Sequence, residues 1–420
     1  MSFKTISVIG LGYIGLPTAA VFASRKVRVI GVDVSSHVVD TINHGHIHIV
    51  EPELDIAVSS AVSAGYLRAT MTPEPADAFL IAVPTPFKGH HEPDLSYIEV
   101  SAKAIAPVLK KGDLVVLEST SPVGTTELIA SWMAEARPDL TFPQQAGEHA
   151  DINVAHCPER VLPGHIIREL IENDRVIGGM SKRCAERSVE LYKVFVKGAC
   201  ITTDARTAEM AKLTENSFRD VNIAFANELS LICDKLGINV WELIALANRH
   251  PRVNILQPGP GVGGHCIAVD PWFIVDSAPE QAKLIHTARL VNDGKPKWVI
   301  EKIRVACDLA VGPDGDRSQA RIACLGIAFK ADIDDLRESP ALGIVRQLAE
   351  EGFHITVVEP NIHQLPDSLQ KENVRFASMK DALESSDVVV ILVDHKSFKE
   401  MRLEDLNGKQ LVDTRGVFVH

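Results

Sequence analysis

The chain has 420 residues, a formal net charge of −12 and an ordinary globular composition, with 46% hydrophobic and 23% charged residues. This length predicts two or three domains, and the negative charge argues against a nucleic-acid partner, because phosphate backbones bind basic surfaces. The longest aliphatic run, residues 388–393, is too short to span a membrane and the N-terminus lacks a signal-peptide pattern, so we expect a cytoplasmic protein whose seven cysteines are free thiols.

The first predicted elements are a strand, a glycine-rich turn of the pattern Gly10-x-Gly12-x-x-Gly15, and a helix. A second strand ends in Asp33, about twenty residues after the turn, where a carboxylate would hydrogen-bond an adenosine ribose. Together these features predict a dinucleotide site with the pyrophosphate at the helix N-terminus. No arginine follows Asp33 to bind a 2′-phosphate, so we expect NAD rather than NADP. The alternative is an ordinary turn between a strand and a helix.

Strands and helices continue to alternate through this region, which predicts a parallel, doubly wound sheet. Ligands of such sheets gather at the carboxyl ends of the strands. The polar residues predicted at those ends are Thr85, Ser119, Thr120, Glu159 and Arg160. The alternating histidines of HGHIHIVEP fit a solvated loop better than a metal site, because neither an HExxH pattern nor paired cysteines accompany them. We therefore expect no metal.

Residues 207–237 predict one long helix, because no proline or glycine interrupts them before Gly237. Lys212, Asn216 and Arg219 follow the spacing i, i+4, i+7, which places them on one helical face. A polar stripe on an otherwise apolar helix indicates an anionic or sugar ligand, and a solvent-facing stripe is the alternative. The apolar positions of this helix could also pack against a second copy of the chain across a two-fold axis.

Cys266 lies in the loop ILQPGPGVGGHCIAVDPW, whose glycines allow the backbone to approach a ligand closely. Asp270 follows four residues later. Most single cysteines are buried and inert, so the loop by itself leaves open whether this thiol is structural or catalytic.

Residues 311–320 have the composition of a linker, and four further strands at α/β spacing follow them. They predict a second parallel sheet without a GxGxxG turn. Lys330, Asp334, Arg337 and Arg415 lie around its predicted strand ends, where they suit phosphates or a base. The sequence thus predicts an α/β protein of two Rossmann-like parallel-sheet domains joined by a long central helix domain, with domains at 1–203, 204–310 and 311–420.

Seven motifs occur in order along nearly the whole chain: GLGYIGLP, VPTP, ESTSPVGTT, CPERVLPG, AEMAKLTENSFRD, GVGGHC and AFKADIDDLRESP. Together they resemble the UDP-glucose/UDP-ManNAc dehydrogenase family. The resemblance implies an NAD-dependent, four-electron oxidation of a sugar C6 alcohol to a carboxylate, in which a cysteine forms first a thiohemiacetal and then a thioester.

The segment RHPRVNILQPGPGVGGHCIAVDPWF is most similar to the branch that acts on N-acetylated UDP-hexosamines. This similarity implies UDP-N-acetyl-D-mannosamine as the substrate and a place in the synthesis of a cell-surface polysaccharide, enterobacterial common antigen. UDP-GlcNAc and UDP-glucose are the alternative substrates.

The resemblance also implies roles for the residues that match family motifs. Cys266 would be the nucleophile, and Lys212 an acid/base and oxyanion stabiliser. Asp270 and Glu159 would assist the water that hydrolyses the thioester. The residues expected at the cofactor are Gly10, Gly12, Tyr13, Ile14, Gly15, Asp33, Thr85, Thr120, Thr126 and Arg337. Those expected at the substrate are Arg160, Val161, Asn216, Arg219, His250, Arg252, Gly263, Lys330 and Arg415. Arg252 would reach the substrate of the neighbouring subunit, which implies a homodimer.

Three positions depart from the family pattern. Ser121 stands where many relatives have Val, Ile or Pro, His265 where UDP-glucose enzymes often have Ser, and Pro163 where some glucose-specific members have an acid. The last two place glucose specificity in doubt. Two other functions stay open. One is a non-catalytic NAD and nucleotide-sugar binding protein, against which the lysine, cysteine and aspartate argue together. The other is a two-electron 3-hydroxyacid dehydrogenase, which would need neither Cys266 nor a third domain.

Overall fold

The computed structural model of the chain describes residues 3–49, 51–89, 91–161, 164–264 and 266–418. The chain forms two compact units that divide between residues 215 and 216. Pro163 and His265, two of the departures from the family pattern, lie outside the described residues. Within the described ranges, no helix is both long enough and apolar enough to cross a membrane.

An eight-stranded sheet forms the centre of the first unit. The strands of this unit are β1 (Thr5–Ile9), β2 (Arg28–Val32), β3 (Leu67–Thr70), β4 (Ala78–Ile81), β5 (Phe87–Lys88), β6 (Glu92–Pro93), β7 (Leu114–Leu117), β8 (Asn153–His156), β9 (Arg175–Gly179) and β10 (Cys200–Asp204). The order in the sheet is β10-β9-β8-β7-β4-β1-β2-β3, and β5 and β6 form a separate hairpin. In the eight-stranded sheet, all neighbouring strands pair parallel except β8 and β9, which pair antiparallel. The predicted doubly wound sheet is confirmed, with one reversal that the alternation of elements did not predict.

The reversal arises in the connection between β8 and β9. The two strands pair antiparallel, with Ala155 opposite Gly179 and His156 opposite Gly178. A parallel neighbour would require a crossover to the opposite end of the sheet. Strand β9 instead begins at the carboxyl end of β8. As a consequence, Arg175, the first residue of β9, lies at the end of the sheet where ligands are expected.

Helices cover both faces of this sheet. They are α1 (Gly15–Ser24), α2 (Ser36–Asn43), α3 (Leu54–Ser63), α4 (Ser96–Ile105), α5 (Thr125–Ala136), α6 (Pro143–Ala146), α7 (Ile166–Glu172), α8 (Lys182–Tyr192) and the long α9 (Ala205–Leu236), which continues into the second unit. Alternate side chains of the central strands enter two separate cores, because successive residues of a strand point to opposite faces. Ile6 and Val8 lie in one core, and Ile9 and Ile81 lie in the other.

The second unit contains a five-stranded sheet. Its helices are α10 (Val240–Ala247), α11 (Asp270–Ser277), α12 (Lys283–Val311), α13 (Pro340–Glu350) and α14 (Met379–Ser385), and its strands are β11 (Arg321–Leu325), β12 (His354–Val358), β13 (Val374–Phe376), β14 (Val388–Ile391) and β15 (Gln410–Asp413). The strand order is β13-β12-β11-β14-β15, and all pairs are parallel. The prediction of a second parallel sheet is confirmed.

Candidate active site

The glycine turn after β1 is shaped by close backbone contacts. Gly10 has a φ of +88°, and a Cβ there would lie 2.6 Å from the carbonyl oxygen of Ala82. A Cβ on Gly15 would lie 1.8 Å from the carbonyl oxygen of Gly10. At Gly12, by contrast, a Cβ would meet open space. The turn therefore needs glycine at two positions for its own packing, and it leaves room at the third for a ligand. Ile14 is the N-cap of α1, and the Tyr13 side chain is partly exposed.

Asp33 follows β2 and faces the same turn. Its Oδ2 accepts a hydrogen bond from the Leu11 amide at 3.0 Å, and its Oδ1 accepts one from the Ser35 amide at 3.0 Å. These two contacts fix the carboxylate beside the glycine turn. Each carboxylate oxygen has more than one lone pair, so the fixed group can still accept from a ribose hydroxyl.

Hydroxyl groups line the carboxyl ends of β4 and β7. The Oγ1 of Thr85 and the Oγ of Ser121 are buried and have no hydrogen-bond partner among the described residues. A buried hydroxyl without a partner is destabilising, so these two atoms are suited to contact a bound ligand. Thr120, which directly precedes Ser121, is half-buried. The Ser119 hydroxyl, by contrast, donates to the carbonyl of Val83 at 2.6 Å.

Thr126 has a protein partner that the sequence did not predict. It is fully buried in the first turn of α5, and its hydroxyl donates to Glu209 Oε1 at 2.6 Å. Glu209, on α9, also accepts from the amides of Gly124 and Thr126 at 2.6 and 2.8 Å. A glutamate of the long helix thus caps the N-terminus of α5. Burial raises the pKa of Glu209 above its ordinary value, although these hydrogen bonds favour the ionised form.

Glu159 lies three residues beyond β8 and is almost completely buried. Its Oε2 accepts from Arg175 Nη1 at 2.9 Å, and its Oε1 accepts from the Arg160 amide at 2.6 Å. The Arg160 side chain turns away and pairs with Glu215 at 2.8 Å. Val161 is half-buried next to it. The connection after β8 therefore carries a rigidly held carboxylate. Sequence reasoning found Glu159 but missed Arg175.

Lys212 is half-buried on α9 and interacts electrostatically with His156, the last residue of β8. Burial lowers the pKa of His156 to about 3, and the ammonium group of Lys212 adds to the effect. The imidazole is therefore neutral at physiological pH. The predicted lysine thus lies in the part of the first unit where β8 ends.

In the second unit, two predicted residues are in direct contact. Asp270 begins α11 and is 3% exposed, and its Oδ2 accepts from Asn216 Nδ2 at 2.5 Å. Cys266 lies one turn before this helix, since its carbonyl accepts the amides of Val269 and Asp270 at 3.1 and 2.8 Å. The thiol-bearing loop is thereby tied to the long helix through Asp270. Arg219, by contrast, is exposed, so the predicted polar stripe consists of residues in three different environments.

The thiol of Cys266 differs from the other six. All seven cysteines lie in the described ranges, and only Cys266 is exposed; Cys200 is half-buried and the remaining five are buried. Burial raises the pKa of Cys157 and Cys307 to about 12. Because the thiolate is the nucleophile, these buried thiols are unreactive, and Cys266 is the sulfur that a substrate can reach.

Two glycines before Cys266 have close contacts within the second unit. A Cβ on Gly263 would lie 2.5 Å from the carbonyl oxygen of Glu338, and one on Gly259 would lie 2.5 Å from Arg415 Nη1. The Gly259 amide donates to Asn227 Oδ1 on α9 at 2.9 Å. Glycine is needed at Gly263, because a backbone carbonyl stands against it, so that the loop can lie against the segment after β11. This close packing positions Cys266.

The remaining predicted residues of the second unit lie in separate places. Lys330 is exposed after β11, and the Arg337 guanidinium contacts Asp335 at 2.6 Å. Arg415, after β15, contacts Asp394 at 2.6 Å. His250 and Arg252 are exposed in the loop after α10, and the Arg252 amide donates to His250 Nδ1 at 3.3 Å.

Family models of the UDP-glucose/GDP-mannose dehydrogenases match this chain in three parts: the NAD binding domain at residues 4–196, the central domain at 206–294 and the UDP binding domain at 323–420. The chain is 67% identical to UDP-N-acetyl-D-mannosamine dehydrogenase from Yersinia pestis, over all of both chains. It is 63% identical to NDP-N-acetyl-D-galactosaminuronic acid dehydrogenase from Ralstonia nicotianae, over all of this chain and 97% of that protein.

The fold is also similar to that of solved structures. UDP-D-ManNAc dehydrogenase from Pyrococcus horikoshii is 40% identical, with a TM-score of 0.87 over 99% of this chain and 96% of that one. The similarity confirms the predicted fold class. The match to the NAD binding domain confirms NAD as the predicted cofactor.

Proposed function

Because this chain belongs to the UDP-glucose/GDP-mannose dehydrogenase family, we propose that it oxidises C6 of UDP-N-acetyl-D-mannosamine to the carboxylate, with two NAD reduced per sugar. The observation that carries the proposal is the exposed Cys266 thiol, held by a packed glycine loop one turn before Asp270. A two-electron alcohol dehydrogenase has no use for such a thiol. A four-electron enzyme requires a nucleophile to convert the intermediate aldehyde into a species that can be oxidised again.

The residues of the first unit fit NAD. Gly12 leaves space beside the N-terminus of α1, Asp33 is fixed for a ribose hydroxyl, and the hydroxyls of Thr85 and Ser121 lack described partners. We propose that these residues, with Gly10, Tyr13, Ile14, Gly15, Thr120, Thr126 and Arg337, hold the dinucleotide. For Thr126 the contact would come from its place at the N-terminus of α5, since its hydroxyl is bound by Glu209. NAD, when bound, accepts the hydride in both oxidation steps.

The chain's own residues supply the proton transfers and the covalent step. Lys212 would take the proton of the C6 hydroxyl and stabilise the developing oxyanion. The Cys266 sulfur would then add to the aldehyde carbon, giving a thiohemiacetal whose oxidation leaves a thioester. Asn216 holds Asp270 through the 2.5 Å hydrogen bond, which would orient this carboxylate toward the reacting groups.

Hydrolysis of the thioester completes the reaction. Glu159 would accept a proton from water as the water oxygen adds to the thioester carbon, and Asp270 would assist. The carbon–sulfur bond then breaks, the Cys266 thiolate leaves, and the sugar carboxylate is formed. On the substrate side we propose Arg160, Val161, Asn216, Arg219, His250, Arg252, Gly263, Lys330 and Arg415.

We further propose a homodimer in which Arg252 reaches the neighbouring substrate. An apolar stripe on α9 supports it: Phe218, Phe225, Ile232 and Leu236 are 71%, 52%, 47% and 65% exposed. Their spacing of 7, 7 and 4 residues places them on one face of the helix. Large exposed apolar side chains in one row are typical of a protein interface, and a two-fold pair of these helices would bury them. We place the enzyme in the cytoplasm and its product in cell-surface polysaccharide synthesis, as for enterobacterial common antigen.

The first experiment measures NADH formed per sugar consumed, with UDP-N-acetyl-D-mannosamine, UDP-GalNAc, UDP-GlcNAc and UDP-glucose offered separately. Two NADH per UDP-N-acetyl-D-mannosamine, with little from the other sugars, is the expected result. A second candidate function is the oxidation of UDP-GalNAc, which the 63% identity to the Ralstonia NDP-N-acetyl-D-galactosaminuronic acid dehydrogenase favours. Preference for UDP-GalNAc would support this candidate. One NADH per sugar would contradict the four-electron reaction, and none from any sugar would favour a binding protein.

The thiol is tested by Cys266→Ser, with Cys200→Ser as the matched control. We expect the first variant to lose turnover and keep its affinity for NAD, because the cysteine lies outside the NAD binding domain. The control removes a half-buried thiol and should retain activity. Full turnover by Cys266→Ser would refute the thioester route.

A further inference from the structure

A buried cluster of charged and polar side chains lies beyond the carboxyl end of β8 and is larger than the proposed mechanism uses. Arg175 and Glu159 are 2% and 7% exposed, and Glu118 is 1% exposed. Tyr192 and Cys157 are fully buried. Arg175 Nη1 donates to Glu159 at 2.9 Å, and the Tyr192 hydroxyl donates to Glu118 at 2.6 Å. Burying charges in this way is unfavourable unless each one has a partner, so the arrangement calls for an explanation.

The antiparallel pairing of β8 and β9 brings Arg175 to this position. In the observed register, His156 lies opposite Gly178 and Ala155 opposite Gly179. Continued beyond the last paired residue, the same register places Glu159 opposite Arg175. Opposite residues of antiparallel strands are neighbours, and the salt bridge joins this pair. The Arg175 amide also donates to the Ala199 carbonyl at 2.7 Å, which fixes the start of β9.

The guanidinium of Arg175 has little freedom to move. It lies 5.2 Å from the ring centroid of Tyr192 and 5.9 Å from that of Phe195, and aromatic faces attract cations at these distances. Nη2 donates to the Leu170 carbonyl at 3.4 Å. Since the other oxygen of Glu159 accepts the Arg160 amide, the carboxylate is held at both oxygens and its orientation is set by the protein.

Arg175 is also the positive charge that faces both carboxylates. Burial raises the pKa of Glu118 to about 7, while the charge of Arg175 opposes this rise and the charge of Glu159 adds to it. Burial raises the pKa of Cys157 to about 12 and that of Tyr192 well above its ordinary value, so both are neutral near pH 7. Without the guanidinium, Glu159 would lose the donor that holds its Oε2 and would share a buried site with Glu118.

We propose that Arg175 is a positioning residue that orients Glu159 to take the proton of the hydrolytic water. This inference rests on the proposed role of Glu159. Arg175 itself exchanges no proton and touches no reacting atom. Its removal should therefore slow the hydrolysis of the thioester and leave both oxidation steps nearly intact.

The test follows the covalent intermediate in Arg175→Met, mixed with NAD and UDP-N-acetyl-D-mannosamine, quenched, and analysed by mass spectrometry of the intact chain. We expect a first turnover that still yields two NADH per site, then a steady-state rate lowered by roughly tenfold or more, with the sugar acyl group accumulating on Cys266. Arg175→Lys restores the charge and should recover part of both effects.

Arg168→Met is the matched control. Arg168 lies in α7 of the same connection, is exposed, and pairs with the exposed Glu172 at 2.8 Å. It should behave like the parent protein. Parental turnover by Arg175→Met would overturn the proposal, as would equal loss of the first turnover and the steady state with no acyl adduct. If Arg175→Met does not fold, Arg175→Lys decides: a lowered steady-state rate with the acyl adduct supports the proposal, and a parental rate without the adduct overturns it.

Glu159→Gln separates this inference from the proposed function. An adduct in Glu159→Gln but none in Arg175→Met would overturn the inference and leave the function standing. A parent protein that forms neither NADH nor an adduct would overturn the function itself.

Discussion

Lys295 is a buried lysine, and we expect its burial to lower the stability of the protein. It is 2% exposed on α12, donates to the hydroxyl of Ser230 on α9, and lies 3.8 Å from the ring centroid of Trp298. Burial lowers its pKa from the ordinary 10.5 to about 7, although the carboxylate of Asp234 partly opposes the effect and Lys302 adds to it. A methionine in its place would keep the apolar contact with the tryptophan and remove the ammonium group.

The magnitude follows from the change in pKa. Lowering the pKa of Lys295 from 10.5 to about 7 corresponds to at most about 5 kcal/mol between the two protonation states. Lys295→Met loses the hydrogen bond to Ser230, which is worth about 1 kcal/mol, and the contact of its cation with the ring. Ser230 keeps its own bond to the carbonyl of Asn227 at 2.6 Å, so no buried hydroxyl is left without a partner. We expect a net gain of about 1–3 kcal/mol in the free energy of unfolding at pH 7.

The sign of the pH dependence gives a second readout. Between pH 7 and 10.5 the unfolded chain holds a proton on Lys295 that the folded chain has released. The contribution of Lys295 to the free energy of unfolding of the parent protein therefore rises with pH across that window. The advantage of Lys295→Met should shrink from pH 7 to pH 9.5, measured by guanidinium unfolding followed through tryptophan fluorescence. Lys297→Met, which removes an exposed lysine of the same helix, should change stability by less than about 0.5 kcal/mol at both pH values. A Lys295→Met protein that is less stable at pH 7, or whose difference from the parent is constant with pH, would refute the reasoning.

Three further predictions concern the proposed active site. Asp33→Asn should weaken NAD by about tenfold or more, since a charged hydrogen bond to the ribose is lost; an unchanged dissociation constant in calorimetric titration would rule out that role. Arg252→Ala should lose sugar turnover as a dimer, and a mixed dimer with Cys266→Ser should regain part of it; mixed dimers as inactive as both parents would contradict a shared site. Glu209→Gln should lower the free energy of unfolding of the first unit by about 1–3 kcal/mol, because the N-terminus of α5 loses its buried carboxylate. Glu127→Gln, which removes a half-buried glutamate paired with Arg206 at 2.7 Å, should change it by less than about 1 kcal/mol; equal effects in thermal unfolding would argue against the cap.

The sequence predicted those elements that depend on residues close together in the chain. The glycine turn, Asp33 at the end of β2, and the long helix each follow from a short pattern, because turn geometry and helical periodicity depend on neighbours in the chain. Cys266 was found in the same way, since a thiol among glycines is unusual in sequence. Its exposure, in contrast to the burial of five other cysteines, is a property of the fold that composition does not contain.

Contacts between distant residues could not be predicted from one sequence. Glu209 reads as an ordinary helical glutamate, and its bond to Thr126 spans 83 residues. Arg175 looked like the first residue of a strand, and its contact with Glu159 depends on a reversal of strand direction that alternation of helices and strands does not signal. The carboxylates of Glu209 and Glu159 are both buried with partners that are distant in sequence. Sequence patterns assign residues one at a time and do not show such pairs.

The turns after β1 and β11 share the same local geometry, although the acids beside them have different surroundings. Gly10 and Gly326 both have a φ of +88° and both donate their amide at 2.8 Å to the last residue of the neighbouring strand. The acid that follows that strand, Asp33 or Glu359, accepts amides of the turn in both.

The difference between the sheets lies in what else the acid meets. Asp33 is half-buried beside the open position at Gly12. Glu359 is 2% exposed, and its carboxylate lies 3.1 Å from Nε2 of the fully buried His395. Because the Asp332 amide donates to Nδ1 of that ring, the proton is on Nε2 and points at the carboxylate. The longer side chain and the histidine thus direct the acid of the second sheet inward. The turn beside this acid also lacks the GxGxxG pattern of the first sheet.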